Sequence, residues 1–404
     1  MSVPELRFKQ DDGQEFSDWS KTILGKIATF SKGKGISKAD IDENGLIPCI
    51  RYGELYTEYG ETINAIKSKT NLPSSELVFS EVNDVIIPAS GETQIDIATS
   101  SCVQVSDVAL GGDLNIIKAD ANGTFLSYYL NSQKKLDIAK LAQGNSVVHL
   151  YASQLKLLDL KLPSKSEQTK IANFLTAVDE KITQLTQKCK LIAQYKKGVM
   201  QQIFSQALRF KDDDGQDFPE WQEYLLRDAL IKNSTKNKKR EFSLVQSVSN
   251  KHGFINQDEL FEDRVIASKD LSNYYVIKKG AFAYNPSRID VGSLAYKSDY
   301  LTSVVSPLYV SFYAKPHLII DSFLFNWFES EKFVSQMNSS FEGSVRNTLS
   351  YESLSKISLV LPCIKEQTKI ANFLTTIDGK LTHTHAQLTA AKHYKQGLLQ
   401  QMFV

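Results

Sequence analysis

The stretch EQTKIANFLT runs from Glu167 to Thr176 and returns, letter for letter, from Glu366 to Thr375, an offset of 199 residues. The match continues outward at the same offset. Leu162-Pro163 answers Leu361-Pro362, Asp179 answers Asp378, Lys181 answers Lys380, and YKKGVMQQIF (Tyr195 to Phe204) answers YKQGLLQQMF (Tyr394 to Phe403). A second box, LRFKQDDGQEFSDW from Leu6 to Trp19, answers LRFKDDDGQDFPEW from Leu208 to Trp221 at an offset of 202. Between the boxes the copies diverge. A frame held fixed while its contents differ points to one scaffold built twice and carrying two different readers.

The heptad pattern that follows each box decides the rest of the architecture. Ile171, Leu175, Val178, Ile182, Leu185, Cys189, Ile192, Val199 and Ile203 occupy a and d positions of one frame, with Lys196 at an a position. The second copy gives Ile370, Leu374, Ile377, Leu381, Leu388, Ala391, Leu398 and Met402, with Lys395 at the equivalent a position and a weak Thr384 at d. Ser164 and Glu167 have capping-box spacing at the first helix start, and Cys363 lacks that cap in the second. Each lysine at a either sets register at a cost in stability or lays its stem along the seam with its ammonium in water. A helix from about Gln168 to Ser205 would be roughly 57 Å long at 1.5 Å per residue, too long and one-sided to stand alone. The other copy is its natural partner, and a two-fold relation between equal repeats makes the pair antiparallel, a spacer with a globular unit at either end. The first helix runs from Gln201-Gln-Ile-Phe204 into Ala207-Leu-Arg-Phe210, and the sequence from Gln400 to Phe403 followed by Glu5 to Phe8 would imitate that junction. The termini are therefore expected to lie close together.

The expected fold class is α+β (mixed α/β) with two globular domains and two long antiparallel coiled-coil helices in a pseudo-two-fold repeat. Expected boundaries are 1–163 for the first globular domain, 164–206 for a central spacer helix, 207–362 for the second domain and 363–404 for a C-terminal spacer helix. Strand-like runs occur at Leu46 to Ile50, Asp84 to Ile87 and Val103 to Val105, then at Phe242 to Val245, Ala281 to Tyr284 and Val304 to Val310; helical patterns occur at Thr124 to Leu141 and Ile320 to Met337. The strand order does not follow from these runs.

With 404 residues there is room for two or three domains, and the duplication selects two. The start, MSVPELRFKQDDG, has no apolar h-region, and the most apolar run, His317 to Phe328, is broken by Asp321 and too short for a membrane span. A cytoplasmic protein without a membrane partner is expected. Cys49, Cys102, Cys189 and Cys363 form no close pair and read as buried thiols. The net charge of +1 hides local bias. Lys21 to Asp40 carries five basic residues, Lys32 and Lys34 among them, against one acid, and Arg227 to Lys251 carries seven, including Lys236, Lys238, Lys239 and Arg240, against two. A solvated loop explains either segment alone. Recurrence at the same place in both copies favours phosphate contact.

No catalytic set emerges. There is no G-x-x-x-x-G-K-[ST] loop, and Lys32-Gly-Lys-Gly35 is only a glycine-bearing basic turn. Asn285-Pro286 shares half of the Asn-Pro-Pro-Tyr motif of amino-methyltransferases, but Ser287-Arg288 replaces the half that holds the base. Asp179-x-Lys181 and Asp378-x-Lys380 have the spacing of a nuclease tail, yet read as solvated helix surface without a partner acid. His383, His385 and His393 share a helix without converging, so no metal is expected. Recognition chemistry remains. Arg51 and Tyr52 begin a tyrosine-rich turn, Tyr284 to Gly292 supplies Asn285, Ser287 and Arg288, and Ser90 and Thr93 stand at the comparable place in the first copy. Asparagine suits adenine, arginine suits guanine or phosphate, and a turn-stabilising role competes for each.

These residues carry a family resemblance. Leu162-Pro163-x-x-x-Glu167-Gln-x-Lys-Ile-Ala172, its repeat from Leu361 to Ala371, and the Tyr284-Asn-Pro-Ser-Arg288 turn with Val291-Gly292 resemble the specificity subunit of type I restriction-modification systems over the whole chain. The resemblance implies a non-catalytic subunit whose two target-recognition domains each read half of a split site in double-stranded DNA. It implies that the paired helices space the domains and dock two methyltransferase subunits, with restriction and translocase subunits joining through the complex. Candidate docking or spacer residues are then Glu167, Gln168, Ile171 and Phe174, with Glu366, Gln367, Ile370 and Phe373. S-adenosylmethionine would sit on the methyltransferase partner, and no cofactor is expected in this chain. A DNA-modifying enzyme acting alone and a coiled-coil adaptor that never meets DNA are the competing classes.

Overall fold

The computed structural model describes residues 4–144, 147–250, 252–257, 270–341 and 347–403. Lys251, the last of the second basic segment, lies outside them. Two compact units form, Met1–Gln187 with His385–Val404, and Lys188–Thr384. Both divisions fall inside a long helix. Each unit thus contains the N-terminal half of its own repeat's helix and the C-terminal half of the other's.

The long helices span Lys165–Phe204 and Ile364–Met402. Their seam is where the heptads place it. Ile171, Leu175, Leu185, Cys189, Val199 and Ile203 are buried on the first helix, and Ile370, Leu374, Ile377, Leu398 and Met402 on the second. Thr384, weak as a d residue, is 2% exposed and satisfies its hydroxyl by donating to the Lys380 carbonyl oxygen. Within the first unit, Ile171, Ala172 and Leu175 share a core with Leu398, Met402 and Phe403, so the start of one helix meets the end of the other. The second unit repeats this antiparallel pairing with Val199, Met200, Ile203 and Phe204 against Ile370, Ala371, Leu374 and Ile377. The expected closeness of the chain ends is also present. The Leu6 N–H donates to the Gln401 carbonyl at 3.1 Å, just as the Leu208 N–H donates to the Gln202 carbonyl at 3.0 Å across the covalent junction.

Each globular domain is closed by the same clasp. Ser20–Ile23 pairs antiparallel with Asp159–Leu162 in the first unit, and Gln222–Leu225 with Ser358–Leu361 in the second. The two ladders open on equivalent residues, Ser20 with Leu162 and Gln222 with Leu361. Inside the clasps the sheets differ. The first domain has a five-stranded sheet in the order Ala28–Lys32, Leu114–Ala119, Asp84–Pro88, Ser101–Val103, Thr62–Ile63, antiparallel except for the last pair, and a three-stranded sheet centred on Ile47–Ile50. Among the described residues, the second has a four-stranded sheet, Leu230–Lys232, Val310–Ala314, Ala281–Tyr284, Leu294–Tyr296, and, besides the clasp, two further strand pairs. An aromatic trio recurs in both cores. Trp19, Phe125 and Phe403 meet in the first, with Phe403 5.7 Å from Phe125 and 6.4 Å from Trp19. Trp221, Phe323 and Phe204 meet in the second, with Phe323 5.7 Å from Phe204 and 6.2 Å from Trp221.

Several expected elements are divided or displaced. Thr124 to Leu141 is two helices, Gly123–Asn131 and Lys135–Leu141. Ile320 to Met337 is also two, Asp321–Phe328 and Glu331–Ser339, because Ser330 caps the second by accepting the Phe333 N–H at 3.2 Å. Val304 to Val310 is broken at Ser306-Pro307 into Ser303–Val305 and Val310–Ala314, as a proline without an N–H dictates. Phe242 to Val245 is not a strand: within it Val245 makes an isolated parallel bridge to Val304, and the strand itself begins at Gln246. Cys363 is exposed, unlike the other three thiols. Among the described residues, no helix is long and apolar enough to cross a membrane.

Candidate nucleic-acid interface

The repeated boxes explain each other. Glu167 has no exposed surface and takes a bidentate pair from Arg7, Nε to Oε1 at 3.0 Å and Nη2 to Oε2 at 2.8 Å. Glu366 repeats this with Arg209 at 2.9 and 3.0 Å. Both arginines are held above their ordinary pKa, first by this hydrogen bond. Lys170 bonds the Lys9 carbonyl and Asp11, Lys369 bonds the Lys211 carbonyl and Asp213, and Phe8 meets Phe174 as Phe210 meets Phe373. The neighbouring glutamine ties the helix to the globular domain. Gln168 Nε2 donates to the Pro163 carbonyl while its Oε1 accepts from Asn122 N–H, at the start of the helix Gly123–Asn131. Gln367 does the same with Pro362 and Ile320.

These contacts turn the docking candidates inward. Glu167, Gln168, Ile171, Glu366, Gln367 and Ile370 are all at most 3% exposed, and Phe174 and Phe373 pack on Phe8 and Phe210 of the second box. The half of the capping box that uses the Glu167 carboxylate is likewise given up to Arg7, although the Glu167 N–H still finds the Ser164 hydroxyl at 3.3 Å. What both copies share on the surface is a different set. Asn173 and Asn372, Lys181 and Lys380, and above all Tyr195 and Tyr394, at 56% and 55% exposure, stand outward.

The lysines at a do not reach into water. Lys395 Nζ lies 2.8 Å from Asp179 Oδ1 and 2.9 Å from Glu61 Oε2; Lys196 Nζ lies 2.8 Å from Asp378 Oδ1 and 3.0 Å from Glu329 Oε2. Burial pulls both ammonium groups down, but the facing carboxylates hold them above the ordinary lysine value. Asp179 and Asp378 are therefore seam partners rather than solvated surface. Asp179 also accepts the Tyr128 hydroxyl at 2.5 Å, and burial together with that carboxylate raises the phenol.

Among the candidate readers, Lys32 ends the strand Ala28–Lys32 and Lys34 follows it, both exposed, with no room for a side chain at Gly33 between them, where a Cβ would stand 2.0 Å from the Gly111 carbonyl oxygen. Arg51 is committed to its own turn, with its guanidinium 3.4 Å from Glu54 and its backbone N–H on the same carboxylate; Tyr52 faces Tyr56 at 6.5 Å. Ser90 is buried in a two-residue strand paired with Val148–His149, and Thr93 caps the helix Gln94–Ile97 by accepting the Asp96 N–H. Beside Ser90 stand two residues that composition alone did not single out, His149 and Tyr151, both exposed and stacked at 6.2 Å. Only their register against Ser90 reveals them.

In the second domain Lys236 sits 3.2 Å from the Tyr275 ring centroid, Lys238 is exposed, Lys239 lies 3.9 Å from Glu241, and Arg240 pairs with Asp270 at 3.2 Å. Asn285 makes the turn it was suspected of making, its Oδ1 accepting the Ser287 N–H at 3.1 Å; Ser287 and Arg288 are exposed. Together with Ser247, Asn250 and Tyr309, Asn285 and Arg288 line a concavity of about 280 Å³. It is polar, and Arg288 at its rim brings a fork of donors to it. The two domains thus present different surfaces at comparable places, an arginine-rimmed hollow in one and a His–Tyr stack in the other.

Comparison with known proteins agrees with this geometry. The family described as "Type I restriction modification DNA specificity domain" matches residues 16–194 and again 220–391. The chain is 23% identical over 395 residues to the type I restriction enzyme MjaVIII specificity subunit of Methanocaldococcus jannaschii, covering 93% of this chain and 90% of that one. Its fold resembles the crystal structure of the type I restriction-modification S subunit from M. genitalium, with a TM-score of 0.64, 15% identity and coverage of 100% and 99%. It also resembles a chain from a study of complex assembly and conformational transition of the type I R-M system, with a TM-score of 0.51, 15% identity and coverage of 96% and 97%. With two matching segments that together span most of its length, the chain belongs to the type I restriction-modification DNA specificity family.

Proposed function

We propose that the chain reads a bipartite site in double-stranded DNA, residues 1–163 recognising one half and 207–362 the other, while residues 164–206 and 363–404 space the two and dock two methyltransferase subunits. The observation that carries this reading is the contrast within each unit: clasp, boxes and aromatic trio are built alike, whereas the sheets and surfaces they hold differ. A frame kept the same serves something met twice. Interiors that differ serve two unlike targets. In this reading the chain is the non-catalytic part of the assembly, with methyl transfer on the partner and restriction subunits joining through it.

Arg288 is proposed to contact a base edge or phosphate, and Lys236, Lys238 and Lys239 to contact phosphates. Arg288→Ala should weaken specific DNA binding by about 1–3 kcal/mol if the arginine reads a base, with relaxed preference at one position of the second half-site. Lys238→Gln should weaken all sequences alike and lower the salt slope by about one unit. Titrating a duplex at several salt concentrations separates the two. Binding untouched by either change argues against this face of the second domain.

For docking, the exposed pair Tyr195 and Tyr394 fits two copies of one partner better than the buried box does, since tyrosine is favoured at interface centres. Tyr195→Ala with Tyr394→Ala should reduce the methyltransferase retained on the chain from two copies to none at micromolar concentration, without shifting thermal unfolding. Light scattering of the mixed complex measures this. Two copies still bound would place docking elsewhere.

A further inference from the structure

The lysine that joins the helices also holds the globular domain, and each domain reaches it by a different route. In the first unit Lys395, from the second repeat's helix, grips Asp179 on the first repeat's helix and Glu61, the residue just before the strand Thr62–Ile63. In the second unit Lys196, from the first repeat's helix, grips Asp378 on the other helix and Glu329, which ends the helix Asp321–Phe328. The lysines and aspartates are equivalent residues of the repeat. The glutamates are not: one precedes a sheet strand and the other closes a helix. Two dissimilar domains have each placed a carboxylate on the equivalent ammonium of the repeat. Helix pairing needs only the Lys–Asp arm, so the glutamate arm has a separate purpose. The lysines are 17% and 15% exposed, which shields both arms from much of the solvent screening that weakens surface pairs.

Resting on the DNA-reading proposal above, we infer that Lys395 with Glu61 and Lys196 with Glu329 are positioning residues that fix the angle of each recognition domain on its helices, and through it the gap the complex accepts between half-sites. One added base pair moves a half-site by about 3.4 Å and turns it by about a tenth of a helical turn. A domain fixed at one angle rejects that displacement, and a domain free to rock follows it.

The test uses the full chain co-expressed with its methyltransferase partner and a series of duplexes with unchanged half-sites and gaps lengthened or shortened by one base pair. Wild type should discriminate against the altered gaps by roughly tenfold or more, comparable to a mismatched base pair. Glu61→Gln with Glu329→Gln cuts only the domain arm and leaves Lys395–Asp179 and Lys196–Asp378 in place. It should keep the half-site sequences and affinity at the preferred gap, while discrimination falls to roughly threefold or less. Each single substitution should give an intermediate loss, which keeps the test open if the double variant folds poorly. Lys395→Arg with Lys196→Arg in the otherwise unchanged chain retains both charges and should keep the wild-type discrimination. If the glutamine variants lose stability but keep the wild-type gap preference, the clamp is structural only and the inference fails. If wild type shows no preference for paired half-sites at all, the underlying DNA reading fails first.

Discussion

Arg7→Met is expected to cost the first unit about 3–5 kcal/mol of stability, because it leaves Glu167 charged, wholly buried and without its bidentate partner. The equivalent Arg209→Met should cost less, about 1–3 kcal/mol, because the Trp221 indole N–H still donates to Glu366 at 3.1 Å. In the first unit the matching indole nitrogen, Trp19 Nε1, is buried without a hydrogen-bond partner and offers Glu167 no such support. Denaturant unfolding of the two variants measures the difference. Pairing Arg7→Met with Glu167→Met should recover most of the loss, since a buried apolar pair replaces a buried lone charge. Equal costs for the two arginines, or a cost below about 1 kcal/mol for Arg7→Met, would mean that the box is held by its aromatic contacts rather than by this ion pair.

Much of this frame was legible because its signals are local or periodic. The heptads placed the seam correctly down to Thr384, and the matching junctions pointed to the closeness of the chain ends that the hydrogen bond from Leu6 to Gln401 displays. The partners across the frame were not legible. Glu61 lies 334 residues from Lys395 in sequence, and nothing near either residue announces the other. The same holds for Arg7 and Glu167, 160 residues apart: the repeat showed that both boxes matter, not that they matter to each other. The helices broken at Ser330 and after Asn131 were lost because an apolar period of 3.6 continues across a capped break. For the candidate readers the difficulty is that residue type does not fix orientation. Arg51, chosen for its guanidinium, faces Glu54, while His149 and Tyr151 became visible only once a strand register brought them beside Ser90.

The largest functional effect is expected from exchanging a whole domain. The clasp from Ser20 to Leu162 and the ties through Glu167 and Gln168 use residues of the frame, so another reader fitted within that frame should fold on it. Exchange of residues 1–163 for the corresponding domain of another family member should therefore leave the second domain's reading untouched. The loss of a matched half-site is large, since several mismatched base pairs at about 1–3 kcal/mol each accumulate roughly additively. Methylation-sensitive sequencing of cells carrying this chimaera with the methyltransferase partner tests the central claim of two independent readers on one frame. The claim predicts a motif in which one half changes to the donor's sequence while the other half and its gap stay as in wild type; a motif changed in both halves, or in neither, would contradict it.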